Sequence, residues 1–258
     1  MRFYLGSHIP AWLGRTDVPL FVSRSRLAGL KRLPKALGPW ALDSGGFTQL
    51  SLHGCWTVEP QAYAAEVQRW AAEIGRMEWA AVQDWMCEDA VRAKTGLKVR
   101  DHQLLTVESY LRLRELAPEI TWAPVLQGRS LGDYMTHVED YAQAGVDLRE
   151  LPIVGGGSIC RRQATTFAGI VIRWLAHEGI RLHGFGFKAT GLLASQDYLT
   201  SADSLAWSYN ARKNPPLPEC AAEGRHKRCT SCLRYALEWR AGLLDRLERP
   251  EDRWRASA

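Results

Sequence analysis

Eight short apolar runs recur along the chain, each followed by a turn and an amphipathic stretch. They are Arg2–Ser7 (RFYLGS), Leu20–Ser23 (LFVS), Trp40–Gly46 (WALDSGG), Trp79–Asp84 (WAAVQD), Trp122–Gly128 (WAPVLQG), Pro152–Gly157 (PIVGGG), Leu182–Phe187 (LHGFGF) and Ser201–Trp207 (SADSLAW). Runs this short and apolar read as strands buried on both faces, the habit of parallel sheets covered by helices. The segments between them carry helical signals. Thr57 as N-cap, Pro60 in the first turn and Gly75 as a stop frame one helix, with Tyr63, Val67, Trp70, Ala71 and Ile74 on one face. Ser130–Gly145, Ser158–Gly179 and Val99–Leu116 read likewise. Strands alternating with helices pair in parallel, and eight of them predict an α/β fold, a closed (β/α)₈ TIM-type barrel. An open doubly wound sheet is the alternative. The segment Lys213–Glu219 (KNPPLPE) reads as a linker, dividing the barrel over 1–212 from a small, basic C-terminal appendage over 213–258 that packs on it.

The 258 residues suit one such barrel, and a core of that size needs no disulfide staples. No apolar run is long enough to span a membrane, and the opening MRFYLGSHIPAWLGR lacks the apolar stretch of a signal peptide. The expectation is a cytoplasmic protein (host cytoplasm for a viral chain) with no membrane partner, whose cysteines are thiols or metal ligands. Cys55, Cys87 and Cys160 are scattered and read as buried small apolar residues. Net charge is +5, and residues 211–258 hold eleven Lys/Arg against seven Asp/Glu. A basic end suggests a polyanionic partner; a solvated terminal helix is the other reading.

Active sites of barrels lie at the C-terminal ends of the strands. Those ends carry Asp43, Asp84, Gln127, the Gly155–Gly157 run and Asp203. A carboxylate there is costly without a partner. One acid could cap a turn or a helix, as Asp43 or Asp203 could; three of them after apolar runs point to a shared site. There is no Walker loop, no dinucleotide fingerprint and no G-x-S-x-G elbow. What remains is carboxylates, an amide and bare glycine backbone. Paired carboxylates can act on an anomeric carbon by acid/base work and covalent capture. An acid, an amide and backbone N–H groups can read a purine edge, with Phe47 as a stacking face.

In this setting LDSGGF resembles the signature of the tRNA-guanine transglycosylases, zinc-containing (β/α)₈ enzymes. QDWMCE, PVLQG, HGFGFK and SADSLAWS are more similar still to the DpdA family, transglycosylase-like proteins that place 7-deazaguanines in DNA. The resemblance runs from Arg2 to about Arg240. It implies Asp203 as the nucleophile that attacks C1′ and Asp43 as the acid/base group. It implies Asp84 on the guanine N1–H and 2-amino edge, with Gln127 and the backbone at Gly155 and Gly156 on O6 and the 7-substituent. Ser44 joins the substrate site, Phe47 stacks on one face of the base, and His183 covers the other. The implied reaction exchanges guanine in DNA for a free 7-deazaguanine base of the preQ0 type. A tRNA substrate and a non-catalytic nucleic-acid-binding subunit are the alternatives. Lys188, Arg212, Lys213, Arg225, Lys227 and Arg228 are candidates to hold phosphates.

Near the end, CAAEGRHKRCTSC offers Cys220, His226, Cys229 and Cys232. The Cys-x-x-Cys knuckle with a third Cys and a His makes a plausible Cys₃His set for structural Zn²⁺. A redox pair is the other use of Cys-x-x-Cys, but nothing thioredoxin-like surrounds it. The tRNA enzymes place Cys-x-Cys-x-x-Cys before a distant His. Here the His lies between the cysteines, which leaves the fourth ligand open. The sequence carries no signal for oligomeric state.

Overall fold

The computed structural model describes residues 1–159, 162, 165–224 and 226–249. Cys160, Arg225 and the last basic residues therefore lie outside the described part. All eight expected strands are present: β1 (Arg2–Ser7), β2 (Leu20–Ser23), β3 (Trp40–Asp43), β4 (Met77–Ala81), β5 (Trp122–Ala123) with β6 (Val125–Leu126), β7 (Val154–Gly156), β8 (Leu182–Gly184) and β9 (Ser201–Ser204). Every pairing is parallel, in the order β5-β4-β3-β2-β1-β9-β8-β7-β6. The two ends of that order, β5 and β6, flank Pro124 in one extended run. The fifth expected strand is thus split by a residue with no N–H to give, and the sheet closes into a barrel but for that break.

Burial on both faces produces two cores. Tyr4, Phe21, Ala41, Trp79, Ala81, Ala123 and Ile153 pack with Phe185 in one cluster. The larger cluster lies between strands and helices and holds Leu5, Val22, Leu42, Ala80 and Val154 with the helix residues Tyr63, Val67, Trp70 and Leu175. Adjacent strand residues alternate between the clusters, as Tyr4 and Leu5, Phe21 and Val22, and Ala41 and Leu42 do, because strand side chains point to opposite faces in turn. Ala236, Leu243 and Leu247 of the helix Leu233–Glu248 belong to the larger cluster, and Trp239 of the same helix meets Phe3, ring centroids 6.2 Å apart.

The helix Val99–Leu116 has the expected ends. The helix Leu131–Gln143 starts from a capping box between Ser130 and Asp133. Two helix starts differ from expectation. Pro60–Ile74 begins with Glu59 at the cap, because Thr57 gives both its N–H (3.0 Å) and its hydroxyl (2.7 Å) to Gln49 Oε1. The helix after β7 covers Thr166–His177, capped by the Thr165 hydroxyl, and not the whole of Ser158–Gly179. Ser158 is instead held in left-handed backbone, φ 54°. Cys87 is buried as expected, whereas Cys55 is exposed.

Candidate active site and metal centre

A cavity of about 330 Å³ opens at the C-terminal ends of the strands, and Asp43, Asp84 and Asp203 all line it. Asp43 ends β3 two residues after Ala41, and Asp203 stands two residues after Ser201 in β9. Strand parity therefore gives each acid the barrel-interior side. Asp84 lies beyond the end of β4 and closes the same space. The DSGG sequence makes this approach possible. Gly45 turns in left-handed backbone (φ 77°), and Gly46 sits so close to its neighbours that a Cβ would meet Trp56 at 3.0 Å and Asp84 Oδ1 at 3.1 Å.

The three acids have different surroundings. Asp203 Oδ1 accepts the Gly186 N–H at 2.7 Å and lies 3.4 Å from His183 Nε2. Its other oxygen has no such donor among the described residues. Asp43 is pushed above the ordinary carboxyl range, first by burial, although the Ser23 hydroxyl and Gly45 N–H partly offset this; the neighbouring Asp203 charge adds to the rise. Asp84 is raised to about 7, again first by burial and then by the Asp43 charge. Its Oδ1 accepts from the Ser44 hydroxyl at 3.3 Å and its Oδ2 from Gln127 Nε2 at 2.6 Å.

Gln127 is wholly buried and held on every side. Its N–H donates to His137 Nδ1 at 2.9 Å, and its carbonyl accepts from Gln103 Nε2 at 2.8 Å. Burial lowers His137 to about 4, so the ring is neutral and can accept. Gln127 Oε1 accepts from the Ser158 hydroxyl at 2.6 Å. A Cβ on Gly157 would fall 2.3 Å from Gln127 Nε2, so only glycine fits there.

A family model described as DpdA, DeoxyPurine in DNA protein A, matches residues 1–256. The chain belongs to the DpdA family. Membership implies a transglycosylase-type enzyme. No curated protein matches the chain. No helix among the described residues is long and apolar enough to cross a membrane.

In this DpdA-family member the remaining expected site residues divide into two groups. Ser44, Phe47 and Gly156 line the cavity, and Phe47, 44% exposed, stands at its mouth. Gly155 does not line it: the Phe185 ring lies over this glycine, where a Cβ would be 2.4 Å away. His183 does not line it either. It is fully buried, its Nδ1 2.8 Å from Ser201 Oγ and its ring packed edge-on to Trp79 and Phe185. Phe185, whose ring packs edge-on to His183, lines the cavity instead. Lys188 is exposed on an adjoining groove of about 950 Å³, which shares Gly186, Asp203 and Leu205 with the cavity. Sequence reasoning also missed Glu88 and Ser158. Both are buried and line the cavity, and their oxygens lie 3.1 Å apart. QDWMCE contained Glu88, but it follows no strand directly, so nothing marked it as facing the site.

At the other end of the chain, ligand atoms of Cys220, His226, Cys229 and Cys232 all lie within 4.8 Å of one another. Cys220 Sγ and Cys232 Sγ are 3.8 Å apart, and His226 Nε2 is 3.2 Å from Cys229 Sγ. A tetrahedral zinc with bonds of about 2.3 Å spaces its sulfurs roughly 3.8 Å apart, so the set has the size of a Cys₃His zinc site. The Leu217 N–H donates to Cys229 Sγ at 3.4 Å, the bond a metal-bound thiolate accepts.

Proposed function

We propose that this protein replaces a guanine in DNA with a 7-deazaguanine through a covalent glycosyl-aspartate on Asp203. The observation that carries the reading is the meeting of Asp43, Asp84 and Asp203, from strands far apart in the chain, around one cavity. Family membership supports DNA over tRNA as the polymer. The target base is flipped from its stack into the cavity, which costs a few kcal/mol in a duplex.

Asp203 uses the oxygen not held by Gly186 to attack C1′. The C1′–N9 bond breaks, its electron pair goes to the guanine, and Asp43 gives up its proton to the leaving base. The upward shift of Asp43, caused first by burial, favours the protonated form that this step uses. Guanine departs and the 7-deazaguanine takes its place. Its N9–H proton passes to Asp43, N9 attacks C1′, and the Asp203 carboxylate is released. The ester keeps the strand attached to the protein between the two halves, so no abasic site is set free. Asp84 accepts from N1–H and the 2-amino group, the Gly156 backbone contacts O6, and Phe47 and Phe185 sandwich the ring, while Gln127, behind the cavity wall, holds Asp84 in place. The adjoining groove gives the sugar–phosphate chain a path past Asp203, with Lys188 and Arg246 along it.

In the same reading Cys220, His226, Cys229 and Cys232 hold a structural Zn²⁺. It would fix the segment around residues 217–232 and takes no part in the exchange. The test is exchange of labelled guanine out of DNA and out of tRNA, followed by nucleoside mass analysis. Label lost from DNA alone supports the reading, loss from tRNA alone replaces the polymer, and loss from neither removes the activity.

A further inference from the structure

Glu88 has no part in the exchange as described, yet its carboxylate is buried at the cavity wall. Among the described residues its carboxylate accepts from the Ser158 hydroxyl alone, at 3.1 Å. That hydroxyl has a single proton, and Gln127 Oε1 stands closer to it, at 2.6 Å. The Ser158 oxygen is also taken, by the Cys87 N–H at 2.8 Å. With the proton on the shorter bond, Glu88 keeps acceptor capacity at the cavity wall, where a donor on a bound ligand can meet it. Ser158 is held for this arrangement in a backbone conformation that non-glycine residues rarely adopt.

The order of these groups matters. Gln127 Nε2 donates to Asp84 Oδ2, the Ser158 hydroxyl donates to Gln127 Oε1, and the same hydroxyl oxygen lies 3.1 Å from Glu88 Oε2, so the four groups follow one another along the wall. The edge of a guanine runs in the same sense: 2-amino and N1–H, then O6, then the position-7 substituent. Gln127 itself lies behind the wall, and with Asp84 at the first and the Gly156 backbone at O6, Glu88 beside Ser158 falls at the third. The charge of the cavity points the same way. Asp43, Asp84, Glu88 and Asp203 line it, and no described lining residue is Lys, Arg or His. The nearby guanidiniums of Arg92 and Arg129 are both paired with Asp89.

We propose that Glu88, presented beside Ser158, is the specificity residue for the 7-substituent, and that it selects a hydrogen-bond-donating, cationic group such as an aminomethyl over a nitrile. This rests on the base-exchange reading. It departs from the preQ0-type base implied by sequence resemblance, since a nitrile offers Glu88 a second acceptor.

The test is equilibrium titration of the full chain with 7-aminomethyl-7-deazaguanine and with 7-cyano-7-deazaguanine. The aminomethyl base should bind at least about tenfold more tightly, the scale of one charge-assisted hydrogen bond. Glu88→Gln, which keeps the shape, should bring the two within about threefold by weakening the aminomethyl base alone. Equal binding in the unmutated protein, a preference for the cyano base, or a preference that survives Glu88→Gln overturns the assignment. Guanine exchange from an oligonucleotide is read in parallel. Its absence removes the base-exchange reading, whereas exchange with the wrong order of the two bases removes only the role of Glu88.

Discussion

Replacing Asp84 by Asn removes a charge that the fold holds at a cost. The carboxyl is raised from 3.8 to about 7, first by burial and then by the Asp43 charge. A gap of about 3 pH units, at roughly 1.4 kcal/mol each, destabilises the folded state by about 4 kcal/mol above pH 7. The sign follows from proton binding. Between about pH 4 and pH 7 the folded state holds the Asp84 proton and the unfolded chain does not, so stability falls as pH rises through that window. Asn carries no such penalty. The figure is an upper bound on the gain, because Asp43 ionises more easily beside a neutral neighbour and so returns part of it. The hydrogen bonds can be kept. Gln127 turns its amide over to give the Asn a carbonyl-to-amide match, and the Ser158 hydroxyl turns its proton toward Glu88 Oε2. We expect Asp84→Asn to gain about 1–3 kcal/mol of unfolding free energy at pH 8 and little or nothing at pH 5, measured by urea denaturation. Guanine affinity at pH 8 should fall by about tenfold or more, because a charged acceptor is lost. A change of stability that is the same at both pH values would refute the reasoning.

Three further outcomes are expected. Asp203→Asn should abolish both exchange and the covalent DNA–protein species seen on denaturing gels while leaving oligonucleotide binding; unchanged turnover would mean another nucleophile. Gly157→Ala should lower base affinity by about tenfold, since its Cβ displaces the Gln127 amide that serves Asp84; calorimetry showing wild-type affinity would contradict the close approach. Metal analysis of freshly purified protein should give about one zinc per chain, and Cys229→Ser should reduce it sharply. A metal-free preparation with full thermal stability would remove the zinc assignment.

The strands were legible because a parallel barrel buries both faces of each one, and an apolar run between turns has few other uses. Their ends were less so: β3 stops at Asp43, before Gly45 and Gly46, and β8 stops at Gly184, before Gly186. The break falls at Pro124 inside WAPVLQG, where a residue without an N–H interrupts the ladder. The three acids were legible by position, since each follows apolar residues. His183 misled because parity gives it the interior side, but it lies level with Ser201, one layer below Asp203, and so packs into the interior cluster; sequence does not show where a short strand meets the rim. Glu88 and Ser158 were hidden for a different reason. They reach the site from loops whose path is set by tertiary hydrogen bonds, and a left-handed serine leaves no trace in composition.

The Cys/His cluster is fastened to the segment that carries Asp203. The Ser208 hydroxyl donates to the Thr230 carbonyl at 3.0 Å, and His8 stacks on Trp207 while its Nε2 lies 3.1 Å from Ser231 Oγ. The Trp207 indole in turn donates to the Gly6 carbonyl on β1, the strand beside β9. The Cys/His knuckle thus acts as an anchor for the strand that carries Asp203. Stripping its ligands should slacken the rim at Asp203 before the barrel itself comes apart, so that activity fades while the secondary structure is still whole.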